Sequence, residues 1–118
     1  MSSGKDIDQT QFAPGTLVDH GDGHYSLVYS AFPDFDDVFK AKGLQGGGYT
    51  WHGMVVHLLE ENAPEALEAL DFDPEGSMFC ALSDDLNALK AVARMLSKLE
   101  SRDVVADIVE NVDLAEYD

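Results

Sequence analysis

Cations are scarce in this sequence. Among its 118 residues, 7 are Lys or Arg against 23 Asp or Glu, a formal net charge of −16. A field of that sign repels phosphate backbones and anionic bilayers and attracts basic partners, which argues against binding to nucleic acid or membrane surfaces. Cysteine is almost missing. The single Cys80, inside the apolar run Met78–Leu82, leaves no disulfide framework and makes a reducing cytoplasm the expected compartment. It is a poor catalytic thiol, because burial in an apolar strand raises its pKa. Long apolar runs are missing too: the stretch Met54 to Leu59 is broken by His57 and is far too short to span a bilayer. Residues 1–11 have no apolar segment of the kind a secretory signal needs. No motif of the hydrolase, kinase or metalloprotease type occurs, so neither catalytic residues nor a cofactor are expected.

What is present is enough apolar material, 45% of residues, for one core. We expect a single domain over residues 1–118, with a flexible leader at 1–13, a folded core at 14–112 and an acidic tail at 113–118 that frays. The chain is organised around Gly43–Asn62. A glycine cluster, Gly46-Gly47-Gly48, precedes Thr50, a residue suited to capping a helix start. Trp51, Met54, Val55, Leu58 and Leu59 then fall at i, i+3, i+4, i+7 and i+8, the spacing of a helix with one buried face. Gly53 costs such a helix about 1 kcal/mol relative to Ala, which suggests that it admits a close neighbour.

Before this helix, Thr16–His20 and His24–Ala31 read as a hairpin reversing at Gly21-Asp22-Gly23. Asp34 to Lys42 has an acidic start and a basic end, matching a helix dipole, with Phe35, Val38 and Phe39 inward. After it, Pro64 opens a short helix. Asp71–Gly76 reads as an acidic turn, and Ser77–Leu82, apolar on both faces, as an inner strand. A long helix is expected from about Asp85 to Ser101 and a last one from about Arg102 to Val112. The expected fold is therefore α+β, a small antiparallel sheet made of the hairpin and an inner third strand, with helices mainly on one face.

Several groups invite a functional reading, and each has a plain structural one. The triple glycine before a helix is similar to an anion cradle, but no Lys or Arg accompanies it. His20 and His24 flank a turn with Asp22 at its tip, a partial zinc ligand set or simply a surface hairpin. His52 and His57 are off the i, i+4 spacing of helical metal pairs. Lys90, Arg94, Lys98 and Arg102 recur every four residues as a cationic ridge, and the acids gather elsewhere. Four groups, Asp34/Asp36/Asp37, Glu60/Glu61/Glu65, Asp71/Asp73/Glu75 and the acids along Asp103 to Asp118, are candidate docking faces for a cationic protein. Tyr25, Tyr29 and Tyr117 are candidate anchors, if exposed.

Two stretches carry a resemblance. Gly47-Gly-Tyr-Thr-Trp51 opening a helix, followed by Phe72-Asp-Pro-Glu-Gly-Ser-Met-Phe79 leading into a strand, resembles the immunity proteins of bacterial polymorphic-toxin systems, in particular the immunity protein 51 family. The similarity extends roughly from Leu27 to Leu99. It implies a small cytoplasmic α+β protein that neutralises a cognate toxin by binding it, with no catalytic activity and no catalytic residues to carry over. Gly47, Tyr49, Trp51, Pro74, Glu75 and Phe79 are the matched positions, and we read Tyr49, Trp51 and Phe79 as holding the fold together. Gly47 departs from the family's expected Gly-Asn-Gly, which leaves open any role for a polar side chain there. The alternatives are a small metal-dependent enzyme built on His20, Asp22 and His24, and an acidic adaptor or regulatory subunit.

Overall fold

Alternating side chains near the start of the chain build the expected hairpin. Thr16–Asp19 (β1) pairs antiparallel with Tyr25–Tyr29 (β2), Leu17 facing Leu27. The reversal uses Gly21 and Gly23 at φ +89° and +85°, backbone that glycine adopts without strain. A computed structural model describes residues 8–117. In it the four-stranded antiparallel sheet has the order β1-β2-β4-β3, where β3 is Asp71–Phe72 and β4 is Phe79–Ser83. The strand expected to be inner is inner. The expected acidic turn at Asp71–Gly76 is only partly a turn, because its first two residues pair with Leu82 and Ala81 as an edge strand.

The helices are α1 (Asp36–Lys40), α2 (Gly48–Asn62), α3 (Pro64–Leu67), α4 (Leu86–Lys98) and α5 (Arg102–Asn111). Both α2 and α4 pack on β4, and α4 also reaches β2. Strand residues of one parity, Leu17, Leu27, Tyr29, Phe79 and Ala81, join Trp51, Met54, Leu59, Leu89 and Leu96 in one core. The fold is α+β, with the helical layer on one face of the sheet. No helix among the described residues is long and apolar enough to cross a membrane.

Boundaries differ from the sequence reading at four places, each for a tertiary reason. α2 begins at Gly48, with Gly47 as its N-cap residue. Thr50 sits within the first turn, where its buried Oγ1 accepts a hydrogen bond from the Gly46 N–H at 3.1 Å. α4 stops at Lys98, and Ser101 caps a separate α5, so Arg102 leaves the ridge formed by Lys90, Arg94 and Lys98. The expected leader is not loose from Gln9 onward. Gln9–Gln11 forms a 3₁₀ turn and Phe12 is 1% exposed, while residues 1–7 lie outside the described residues. The expected fraying tail instead docks, Leu114 entering the core and Tyr117 packing against it; Asp118 is outside the described residues.

Candidate functional site

The two stretches that drew attention in the sequence meet in space. The Gly48 N–H donates to the Gly76 carbonyl at 3.2 Å, and the turn it rests on is closed by the Glu75 N–H donating to Met78 O at 2.8 Å. There is no room for a side chain between them. A Cβ at Gly47 would lie 2.0 Å from Gly76 O, and one at Gly48 2.0 Å from Glu75 O and 2.2 Å from Met78 O. The glycine where Asn was expected is thus imposed by contact with the β3–β4 turn.

One turn into α2, Trp51 is fully buried. It stacks on Phe32 at 5.1 Å and meets Tyr29 edge-on at 5.7 Å, arrangements worth about 0.5–1.5 kcal/mol beyond burial. Neither Trp51 Nε1 nor Tyr29 Oη has a hydrogen-bond partner among the described residues. Burial, and then the charge of Glu100, pushes the Tyr29 hydroxyl up to about 12. Phe79 is buried and Pro74 half-buried. Tyr49 behaves otherwise. At 40% exposure it is outside the core, which corrects its reading as a residue that holds the fold.

The sheet's other face is where acidic and apolar groups converge. Paired residues of an antiparallel ladder share a face, so the pairs Asp71–Leu82, Ser26–Leu82, Val28–Cys80, Thr16–Val28 and Val18–Ser26 all project away from the helices. The Asp73 N–H donates to Cys80 O and Glu75 bridges Met78, which continues the register. Asp71, Asp73 and Glu75 therefore form a row along the β3 edge of this open face. Beside them run Met78, Cys80 and Leu82, and then Val28 and Val18, none of which joins the core. Val18 is 38% exposed. Burial first, then the Asp73 carboxylate, raises the Cys80 thiol above its ordinary range, the inert state expected for it.

The other acidic clusters are differently placed. Asp37 forms an ion pair with Arg102 of α5, and that guanidinium holds the Asp37 carboxyl below the ordinary carboxylate range. Asp34 and Asp36 are exposed beside it. Glu60 and Glu61 lie in the last turn of α2, with Glu61 3.4 Å from His57, and Glu65 is exposed in α3. These acidic clusters thus occupy separate regions. The Asp71/Asp73/Glu75 group borders the half-buried side chains of Met78, Leu82 and Val28, whereas Glu65 shares a depression with Arg94.

His20 and His24 do come together, lining a depression of about 310 Å³ at the end of the sheet with Tyr25, Asp71, Leu82 and Asp84. His20 Nε2 is 2.7 Å from Ser26 Oγ. No group of three or more His, Cys, Asp or Glu side chains is arranged to hold a metal among the described residues. His52 is packed against Phe72 at 4.6 Å and Tyr117 at 5.3 Å, and burial lowers its pKa below 6.5. Of the candidate anchors, Tyr29 is buried and Tyr25 and Tyr117 are half-buried.

The sequence reading named Asp71/Asp73/Glu75 as a candidate docking face but read the segment as a turn, missing the row on one strand face, although its signal was there. Asp71-x-Asp73-x-Glu75 has the period of two that places residues on one side of a strand. The Asp-Pro within it reads as a turn, which hides that period. A family model described as immunity protein 51 matches residues 16–114. No curated protein and no solved structure matches the chain.

Proposed function

The chain belongs to the immunity protein 51 family, and from that premise we propose that it binds a cognate protein toxin and neutralises it stoichiometrically, without catalysis. The family match carries this reading, because it spans all four strands and all five helices of the described residues rather than one motif. The net charge of −16 supports a basic toxin as the partner. A nuclease fits, since its active site must attract phosphate, and carboxylates of the inhibitor would occupy positions that nucleic acid would take. Of the acids named from the sequence, Asp71, Asp73 and Glu75, which share one face of the sheet, are the proposed contributors. The site of action is the cytoplasm, and neither nucleic acid nor a cofactor takes part.

Co-expression tests this directly. Cells producing the toxin encoded beside the gene for this chain should survive when the chain is made with it. Death at equal toxin levels, with the chain folded and abundant, would remove the proposal.

A further inference from the structure

We infer that the open face of the sheet is the toxin-docking surface and that its occupant is a basic, partly apolar face of the toxin, one Arg or Lys of which seats in the depression between Asp71 and Asp84. This rests on the toxin-binding reading above and says which surface does the work.

The face combines two features. It has an apolar strip outside the core cluster, Val18 at 38% exposure beside half-buried Val28, Met78 and Leu82. Apolar surface that is partly open to solvent supplies the dry centre of an interface once a partner covers it. Along its edge stand Asp71, Asp73 and Glu75, none of them in an ion pair among the described residues. No Lys or Arg occurs in the hairpin or anywhere from β3 through β4, whereas Lys40, Lys90, Arg94, Lys98 and Arg102 all lie on helices. Among the described residues the sheet side is therefore negative charge without a paired cation around an apolar centre, which is complementary to a cationic and apolar partner.

The depression supplies a specific seat. It is lined by Asp71 and Asp84 together with His20, His24, Tyr25 and Leu82. A guanidinium or ammonium on an apolar stem suits carboxylates at the rim and an aromatic wall. The contact between His20 Nε2 and Ser26 Oγ fixes one side of the opening.

Other occupants fit less well. A second copy of this chain would set the same three carboxylates against each other at a net charge of −16 each, which is repulsive. Pairing along the β1 edge, the usual way a sheet recruits a strand, is blocked at its middle. The Gln9 side-chain amide donates to Leu17 O and accepts from the Leu17 N–H, both at 2.9 Å, standing where a strand would be.

The experiment measures affinity for the purified toxin domain encoded beside the gene, comparing wild type with D71K/D73K and D34K/D36K. The two pairs change net charge equally, and all four side chains are exposed, so position alone separates them. D71K/D73K should weaken binding about 100-fold or more, and the isosteric D71N/D73N about 10-fold, with D34K/D36K within about 3-fold of wild type. Thermal melts establish that each variant is folded. Equal losses in both Lys pairs, or a greater loss in D34K/D36K, would overturn the docking face while leaving toxin binding intact. A wild-type dimer in sedimentation that D71K/D73K dissolves would make a second copy the occupant and overturn it as well. If wild type does not bind the toxin domain at all, both readings fall.

Discussion

At Gly48, carbonyl oxygens stand where a methyl group would go. Gly47 and Gly48 let the start of α2 lie directly on the backbone of the Glu75–Met78 turn, so the constraint is steric and long-range, since neither residue takes the positive φ that usually calls for glycine. Gly76, on the other side of that contact, has open space at its own Cβ position. Gly48→Ala should therefore destabilise the protein by about 3 kcal/mol, through forced separation of helix and turn. Gly76→Ala should remain within about 0.5 kcal/mol of wild type or be slightly more stable. Denaturant melts of the two variants decide it, and equal stabilities would refute the contact as the reason for the glycines.

Among the elements, α2 holds three others. Its N-terminus carries the β3–β4 turn, Trp51 and its neighbours meet the sheet, and Gly53 receives the C-terminal segment. A Cβ at Gly53 would come within 2.6 Å of the Tyr117 ring and 3.0 Å of Leu114, which identifies the close neighbour that this helix glycine implied. His52 extends the attachment by packing between Phe72 of β3 and Tyr117. Its folded pKa is below 6.5 because burial disfavours the imidazolium. The unfolded chain then takes up the proton at higher pH than the folded one. Stability from the neutral ring is complete well above pH 6.5 and is lost as pH falls through that value. Over about pH 7.5 to 5.5, where carboxylates remain ionised, the melting temperature of wild type should fall more steeply than that of His52→Phe. Parallel slopes would exclude His52 as the source.

Across the whole molecule, charge is sorted by layer. Among the described residues the cations belong to the helical side, where Arg102 pairs with Asp37 and Lys42 lies 3.3 Å from Glu110. The hairpin and the segment from β3 through β4 contain none to match their acids. A steered encounter depends on such a field and is screened beyond about 8 Å at physiological salt. The association rate with the toxin should fall at least about tenfold between roughly 0.05 and 0.3 M salt, with the dissociation rate changing much less. Stopped-flow measurement over that range tests it, and a rate insensitive to salt would contradict charge steering.

The sequence by itself determined the register of α2, the hairpin and the inner strand. In each, the information lies in residues that are close along the chain. A 3.6 period aims Trp51, Met54, Val55, Leu58 and Leu59 one way, glycines permit the reversal at 21–23, and an unbroken apolar run places β4 inside the sheet. It also announced the anionic character, which is a sum over side chains. Only the tertiary structure decided that Asp71 and Phe72 form an edge strand, that Phe12 and Leu114 from the two ends belong to the core, and that Tyr49 stays outside it. It likewise decided which acids stand together on an uncovered surface and which are answered by a cation. The physical reason is that pairing register and the choice of covered face depend on partners distant in sequence. The same Asp-x-Asp-x-Glu is a turn or a row of carboxylates according to whether β4 lies beside it.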